Sequence, residues 1–496
     1  MLDVAIAQLR YSLSLLFGIR FSVRSLERLI VSLRETRHEF GAIGKEGGEM
    51  LEGQPLDRES RRHMQLQRFR QLARRATLDT AYYRELFARL DLEPAKMSFE
   101  DIMHLPSTPK EALRDNPDAF VSRRARPYLR ATTTGTTGKP TSIYFSEYEL
   151  RVYFALAALS TFLTHDLQAS DIVQISTSSY GTLGNVCLAG ACAHVGATVY
   201  LTGLVDPELA LARLREKRDL PGKKEQTSLL YTYPSYLGEL VTYGLAHHYQ
   251  PADFGLERIS VGGEIVTDGL KKRCIQLFGS VRFLEGSGMT EIWPVGGRVC
   301  ESGHLHFETS QGLIEIQQLD SNKPAQEGEA GSLVVTPFPP YRETTLVLRY
   351  DTQDVVRVLP ENLVCSLRHL PATSNILGKR CFAAQHLYGW TFPRDVLEAL
   401  EAVEELPLPA RCGFWSVSGG VALEVQCYEQ TPALRQKIED SLHRRGIPVQ
   451  DLTLVERGQP LQHPLPLRCD LREQHFIAVS RKENIAHQLH SVISIL

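Results

Sequence analysis

The sequence predicts an α/β fold. A large N-terminal domain would carry mostly parallel sheets covered by helices, with a small antiparallel β subdomain, and a small α+β C-terminal domain would follow. Three observations predict it. Strand-like and helix-like segments alternate from about residue 171 to 284, the pattern of parallel strands joined by crossover helices. Residues 312–358 read instead as short strands with turns between them. Beyond Gly378 a helix, two strands, a helix and a strand follow within about 110 residues, a size that can fold on its own. The domain limits this implies are 1–377, with a helical extension over about 1–60, and 378–496.

Taken in order, Met1 to Gly18 is interrupted by Asp3 and Arg10 and reads as an amphipathic helix that packs on the body or on a partner. Residues 21–40 keep a helical period, and Gly41 to Gly53 holds five glycines among polar residues, which reads as a loop. Leu66, Phe69, Ala73 and Ala76 repeat on one face of a helical stretch over 56–92. Pro106 to Leu113 looks like a helix start with a hydroxyl cap, Pro in the first turn and Glu111 just after. A strand over 142–146 leads into a helix over 147–164. Strands over 171–177, 197–201, 228–231, 258–261 and 281–284 then alternate with helices over 186–195, 207–216, 236–246 and 268–278. The antiparallel part comprises 312–317, 331–336, 345–350 and 354–358. The last unit reads as helix 393–401, strands 413–417 and 421–427, helix 432–445 and strand 451–455.

Bulk properties exclude several classes. At 496 residues the chain is too long for one ordinary core, and its 43% hydrophobic and 23% charged content is that of a globular protein. A net charge of -3 gives no basic excess to hold nucleic acid. No run of about 18 uncharged apolar residues occurs, so no spanning helix is expected. The nine cysteines, at 187, 192, 274, 300, 365, 381, 412, 427 and 469, form no CxxC pair and are odd in number. They read as reduced thiols in a cytoplasmic protein.

The chemistry-bearing stretch is Thr132 to Thr141, Thr-Thr-Thr-Gly-Thr-Thr-Gly-Lys-Pro-Thr. Small hydroxyl residues and glycines let successive N–H groups line one concavity that holds an anion, and Lys139 adds a charge suited to phosphate. It is not a Walker A loop, because only Thr136 and Thr137 separate its glycines and Pro140 follows the lysine. A Thr-rich surface turn is the competing reading.

Three further stretches line up behind it. Ser179-Tyr180-Gly181-Thr182-Leu183-Gly184 precedes a Gly196-Ala197-Thr198 strand. Gly262-Gly263-Glu264 is followed by a helix, a strand and Gly286-Ser287-Gly288-Met289-Thr290-Glu291. Gly328-Glu329-Ala330-Gly331 runs on to Arg349-Tyr350-Asp351-Thr352-Gln353-Asp354. In this order the four stretches resemble the adenylate-forming (acyl-CoA synthetase) superfamily, and within it the phenylacetate-CoA ligase branch.

The resemblance implies ATP-dependent activation of a carboxylic acid, aromatic by branch, as an acyl-adenylate, and transfer to a thiol such as CoA or a carrier protein. A homodimer is compatible with it. It implies that Thr132, Thr133, Thr134, Gly135, Thr136, Thr137, Gly138 and Lys139 grip the β- and γ-phosphates. Glu291 would hold Mg²⁺, with Thr290 and Lys139 beside it in the catalytic set. Gly262, Gly263, Glu264, Ser287, Gly288, Met289 and Thr290 would border the nucleotide, Asp354 would accept the ribose hydroxyls, and Lys379 would meet the nucleotide from the hinge. Tyr180, Gly181, Tyr233 and Tyr236 would line the acyl pocket, since flat apolar groups suit aromatics beside glycine.

The sequence departs from the family pattern in several places. Ser287 stands where an aromatic usually stacks on adenine, and Gln353 stands where Gly is usual, which is tolerable if its φ is negative. The hinge Gly378-Lys379-Arg380-Cys381-Phe382 has no acidic pair. The lysine that family members carry near the chain end is absent from the loop after Val455. Lys437 lies mid-helix and Lys482 beyond the loop, which leaves Arg468 or His463 as surrogates. This motivates an alternative: a homologue that binds nucleotide or acyl-adenylate but forms it poorly. Finally, Cys300, His304 or His306 and a distant ligand such as Cys365 have the residue types of a Zn²⁺ site, against a strand–turn–strand with surface histidines.

Overall fold

The computed structural model describes residues 2–40, 57–133, 140–178 and 183–469. Its centre is an eight-stranded sheet in the order Ala372–Ser374, His304–Phe307, Gly296–Val299, Arg282–Gly288, Arg258–Gly262, Leu229–Thr232, Ile172–Ser176, Thr198–Leu201. The last five in this order pair parallel and the first three pair antiparallel. The crossover helices Leu183–Val195, Pro207–Arg215, Pro234–Ala246 and Asp268–Phe278 fall where alternation predicts them. Strand Ile172–Ser176 is buried along its whole length, as a central parallel strand covered on both faces must be.

A four-stranded antiparallel sheet follows, Gly312–Gln318, Ala330–Pro337, Tyr350–Arg357 and Gly378–Lys379. Residues 345–350 do not form the separate strand expected of them. Arg349 (φ 48°) breaks the extended run, and one strand begins at Tyr350 and continues to Arg357. Within that strand a register shift opposite Ser332 and Val334 accompanies a left-handed Gln353, φ 62°. The condition under which Gln could replace Gly comfortably is therefore not met.

Two helical expectations also change in detail. The stretch 56–92 is two helices, Arg58–Asp79 and Ala81–Leu90, and Thr80 both ends the first and accepts from Tyr83 N at the start of the second. The helix Lys110–Asp115 has no hydroxyl cap: Pro109 occupies the N-cap position, and Thr108 Oγ1 donates to Leu348 O at 2.6 Å instead.

The N-terminal helices Leu2–Phe17 and Val23–Phe40 pack on the body. Tyr11 and Tyr341 share a hydroxyl hydrogen bond of 2.8 Å, and Arg20 pairs with the mostly buried Glu343 at 2.6 Å. No described helix is long and apolar enough to cross a membrane. No disulfide forms among the described residues. Gly41 to Gly53 lies outside them, as does Lys482.

After Lys379, the sheet Cys412–Val417, Gly420–Cys427, Val449–Glu456 packs with helices Pro393–Glu401 and Pro432–Arg444 around Val396, Leu400, Leu423, Val425 and Ile438. This unit rests on the helix Asp268–Phe278. Buried Arg273 donates to Leu406 O and Glu401 O at 2.7 and 3.0 Å.

Candidate nucleotide and acyl site

Parallel strands end together, so the loops at their carboxyl ends form one rim, where open α/β sheets bind ligands. A cleft of about 640 Å³ opens there. Thr177, Tyr233, Gly262, Gly263, Glu264 and the run Ser287 to Glu291 line it, each just beyond or at the end of a parallel strand. Asp354 and Lys379 enter from the antiparallel sheet, and Arg468 from the C-terminal unit. Ser287, Gly288, Met289 and Thr290, all expected to border the nucleotide, share one wall.

The charged centre of the cleft is Glu291, only 1% exposed. Tyr350 donates its hydroxyl to Glu291 Oε1 at 3.2 Å, and Lys110 Nζ lies 3.8 Å from the same oxygen. Lys110 is itself buried at the first turn of its short helix. Burial holds its ammonium below the usual lysine range, while Glu291 pulls it back up and Lys379 opposes it. Sequence reading missed this lysine. Its only local signal is the proline-flanked helix start, and a 181-residue separation from Glu291 hides the pairing.

Asp354 and Lys379 face each other across the antiparallel ladder. Lys379 Nζ lies 2.7 Å from Asp354 Oδ1 and donates to Thr352 O at 2.9 Å. The hinge segment is thus tied to the carboxylate expected to take the ribose.

Opposite, Arg468 Nε donates to Gly263 O at 2.7 Å, and its guanidinium lies 5.3 Å from the Tyr233 ring centroid. Gly263 has φ 85°, which favours glycine, and a Cβ there would come within 2.8 Å of Arg468 Nε and push that side chain aside. Glu264 is engaged differently from an adenine-slot residue: its carboxylate accepts from Ser235 N at 2.9 Å and Arg468 N at 2.5 Å, tying two loops together. Of the proposed surrogates for the absent lysine, Arg468 reaches the cleft and His463 does not; it packs near Trp415. Lys437 is exposed and ion-paired with Glu405.

The Thr/Gly loop springs from a hairpin, Leu129–Thr132 with Ser142–Phe145. Thr133 and Thr141 close its base: Thr133 N donates to Thr141 O, and Thr133 Oγ1 accepts from Thr141 N, both at 3.0 Å. Thr133 lines the cleft and Thr132 ends the strand. Thr134, Gly135, Thr136, Thr137, Gly138 and Lys139 lie outside the described residues, as do Tyr180 and Gly181.

The cleft floor is built from Leu156, Cys187, Leu188, Tyr231 and His165. Tyr233 belongs to the lining, but Tyr236 does not. Tyr236 is fully buried among the helices behind the sheet, and its hydroxyl donates to Val205 O at 2.6 Å, so the acyl-pocket role is corrected. His165 Nδ1 lies 2.9 Å from the Tyr231 hydroxyl, and burial with nearby Arg282, Arg258 and Arg298 pushes its pKa down to about 4.

Comparison with known proteins accords with this geometry. The family model for AMP-binding enzymes matches residues 86–336. The chain is 25% identical over 322 residues to a phenylacetate-coenzyme A ligase of Thermus thermophilus, covering 64% of this chain and 69% of the relative. It is 26% identical over 312 residues to one of Pseudomonas putida, covering 60% and 67%. Among solved structures, a 2-hydroxyisobutyryl-CoA ligase in complex with its acyl-AMP superposes with a TM-score of 0.69 at 16% identity, covering 89% of this chain and 94% of that one, a likeness of fold. The chain belongs to the AMP-binding enzyme family, as an adenylate-forming acid–thiol ligase of the phenylacetate-CoA ligase-like branch.

Proposed function

We propose that the chain activates an aromatic carboxylic acid with ATP and passes the acyl group to the thiol of CoA. One observation carries the reading: Lys110, Gly262–Gly263, Ser287–Glu291 and Asp354–Lys379, distant in sequence, line a single cleft. In the first step a carboxylate oxygen bonds to the α-phosphorus and the bond to pyrophosphate breaks. In the second, the thiol sulfur bonds to the acyl carbon, AMP leaves with the anhydride oxygen, and the thiol proton is lost.

The protein's task is to bring two anions together and offset the developing charge. Thr132 to Lys139 would hold the outer phosphates and Asp354 the ribose, while Lys110 and Lys379 supply cations beside them. Glu291 fits a hard cation, because its buried carboxylate lines the cleft and offers the oxygen ligands that Mg²⁺ takes. Bound there, Mg²⁺ would neutralise phosphate oxygens. Leu156, Leu188, Tyr231 and Tyr233 suit a flat acyl group.

The unit after residue 377 would turn about Gly378, whose φ of 130° few other residues adopt, and so alternate between the two half-reactions. Reduced thiols support a cytoplasmic setting. The reading as an impaired binding protein is not favoured, since the curated relatives are named as ligases and Arg468 already brings a cation to the cleft.

The test is acid-dependent exchange of labelled pyrophosphate into ATP across aromatic and aliphatic acids, followed by mass detection of the CoA thioester. Exchange strongest with aromatic acids is expected. ATP binding without exchange for any acid would sink the proposal.

A further inference from the structure

Outside the nucleotide machinery, one cluster of thiols and imidazoles has no role in the ligase reading. His304 and His306 are two residues apart on the strand His304–Phe307, so the pleat turns both side chains to one face. A tight turn brings Cys300 beside them: Cys300 N donates to His304 O, and Gly303 N to Cys300 O, both at 2.9 Å. Cys365 arrives from a separate segment. Ser366 fixes it there, donating both its N and its Oγ to the carboxylate of Glu301 at 2.6 Å. The four ligand atoms all lie within 4.8 Å of one another.

The donor states fit a metal. His306 is 1% exposed, not a surface histidine, and its Nδ1 is 3.2 Å from Leu370 O. Donation from Nδ1 leaves the Nε2 lone pair facing Cys365 Sγ, 3.4 Å away. That separation is close to the edge of a tetrahedron whose metal–ligand bonds are about 2.0–2.3 Å. Nδ1 of His304 is buried and has no hydrogen-bond partner, a costly arrangement for a polar atom unless something occupies it. Two sulfurs and two imidazoles at tetrahedral reach select zinc over the hard cations that carboxylates hold.

We infer that Cys300, His304, His306 and Cys365 bind a structural Zn²⁺. Four protein ligands leave no open coordination position, so the ion does not act on substrate. It joins the turn at 300–303 to the segment 361–371, which runs through strand Ala372–Ser374 into the hinge Gly378–Lys379. His306 also borders the cleft. The ion therefore anchors the last rigid point before the moving unit.

The test uses the full chain expressed with zinc and measured by elemental mass spectrometry after exhaustive dialysis. About one zinc per chain is expected, falling below about a tenth in Cys300→Ser and Cys365→Ser and unchanged in Cys381→Ser, whose thiol is exposed and elsewhere. Because the serine variants can misfold, chelator-stripped wild type is also titrated with Co²⁺. The visible bands of a tetrahedral thiolate complex are expected at one equivalent. Wild type with no zinc and no such bands, or serine variants that keep a full equivalent, would overturn the assignment.

Discussion

The two walls of the cleft are built in different ways. The wall from the large unit is a set of loops anchored on sheet strands, and its acid, Glu291, is buried and held by Tyr350 and Lys110. The wall from the C-terminal unit combines the helix Pro393–Glu401, through Pro393, Arg394, Leu397 and Glu401, with the irregular segment 465–468, whose Arg468 is held by Gly263 O and Glu264. The first is preorganised by the core. The second is tied to the large unit by polar contacts such as Arg273 with Leu406 O, Arg394 with Val266 O and Arg411 with Glu239, and by Leu408 packed among its helices, across a boundary that the proposed chemistry must open and close. The buried Lys110–Glu291 pair thus belongs to the sheet-anchored wall, while Arg468, proposed as surrogate for the absent lysine, grips that wall from the other side.

Breaking the rigid wall should have the largest effect. Lys110→Met should slow pyrophosphate exchange by about 10², as loss of one preorganised charge does. Lys110→Arg should leave a residual rate whose alkaline limb moves to higher pH. Burial depresses the lysine's pKa, so raising pH discharges it early, whereas the guanidinium stays charged. A lysine-independent rate would erase the contrast between the walls.

Arg468→Ala should cost about tenfold, roughly 1.4 kcal/mol, in exchange. Arg468→Lys should recover part of that if charge rather than stacking on Tyr233 matters. A loss as large as that of Lys110→Met would show both walls to be equal.

Smaller effects test the scaffold. Gln353→Gly should stabilise the fold by about 1 kcal/mol in denaturant unfolding, because φ 62° strains any residue with a Cβ. His165→Gln should alter the acid limb of stability. The folded pKa of about 4 lies below the unfolded value near 6.5, so this stability is complete above pH 6.5 and is lost as pH falls toward 4. The variant should show a flatter slope across that window in thermal melts.

Much of this was legible in the sequence for physical reasons. The parallel strands over 171–284 announce themselves by alternation with helices, and runs such as Gly262-Gly263-Glu264 mark strand ends because loops need glycine there. The antiparallel extension of the main sheet surfaced only as the strand–turn–strand alternative around Cys300 to His306. Gly296–Val299 and His304–Phe307 are four residues each, too short for a period to emerge. Tyr236 misled because helical phase, which sends its hydroxyl to Val205, is decided by packing on either side of the helix. Lys110 was invisible as a site residue because nothing local distinguishes a helix-start lysine from one folded against a carboxylate 181 positions away.

The ladder between Asp354 and Lys379 has a thermodynamic consequence. In the proposed reading, a nucleotide that draws Asp354 onto ribose would compete with Lys379 for the same carboxylate, and Lys379 adjoins Gly378, the proposed pivot. Whatever free energy ribose binding contributes to loosening that strand pair, moving the strand must return to ribose affinity in equal measure. In such a design, product release and rotation of the C-terminal unit are two readings of one equilibrium, and a change at either end is felt at the other.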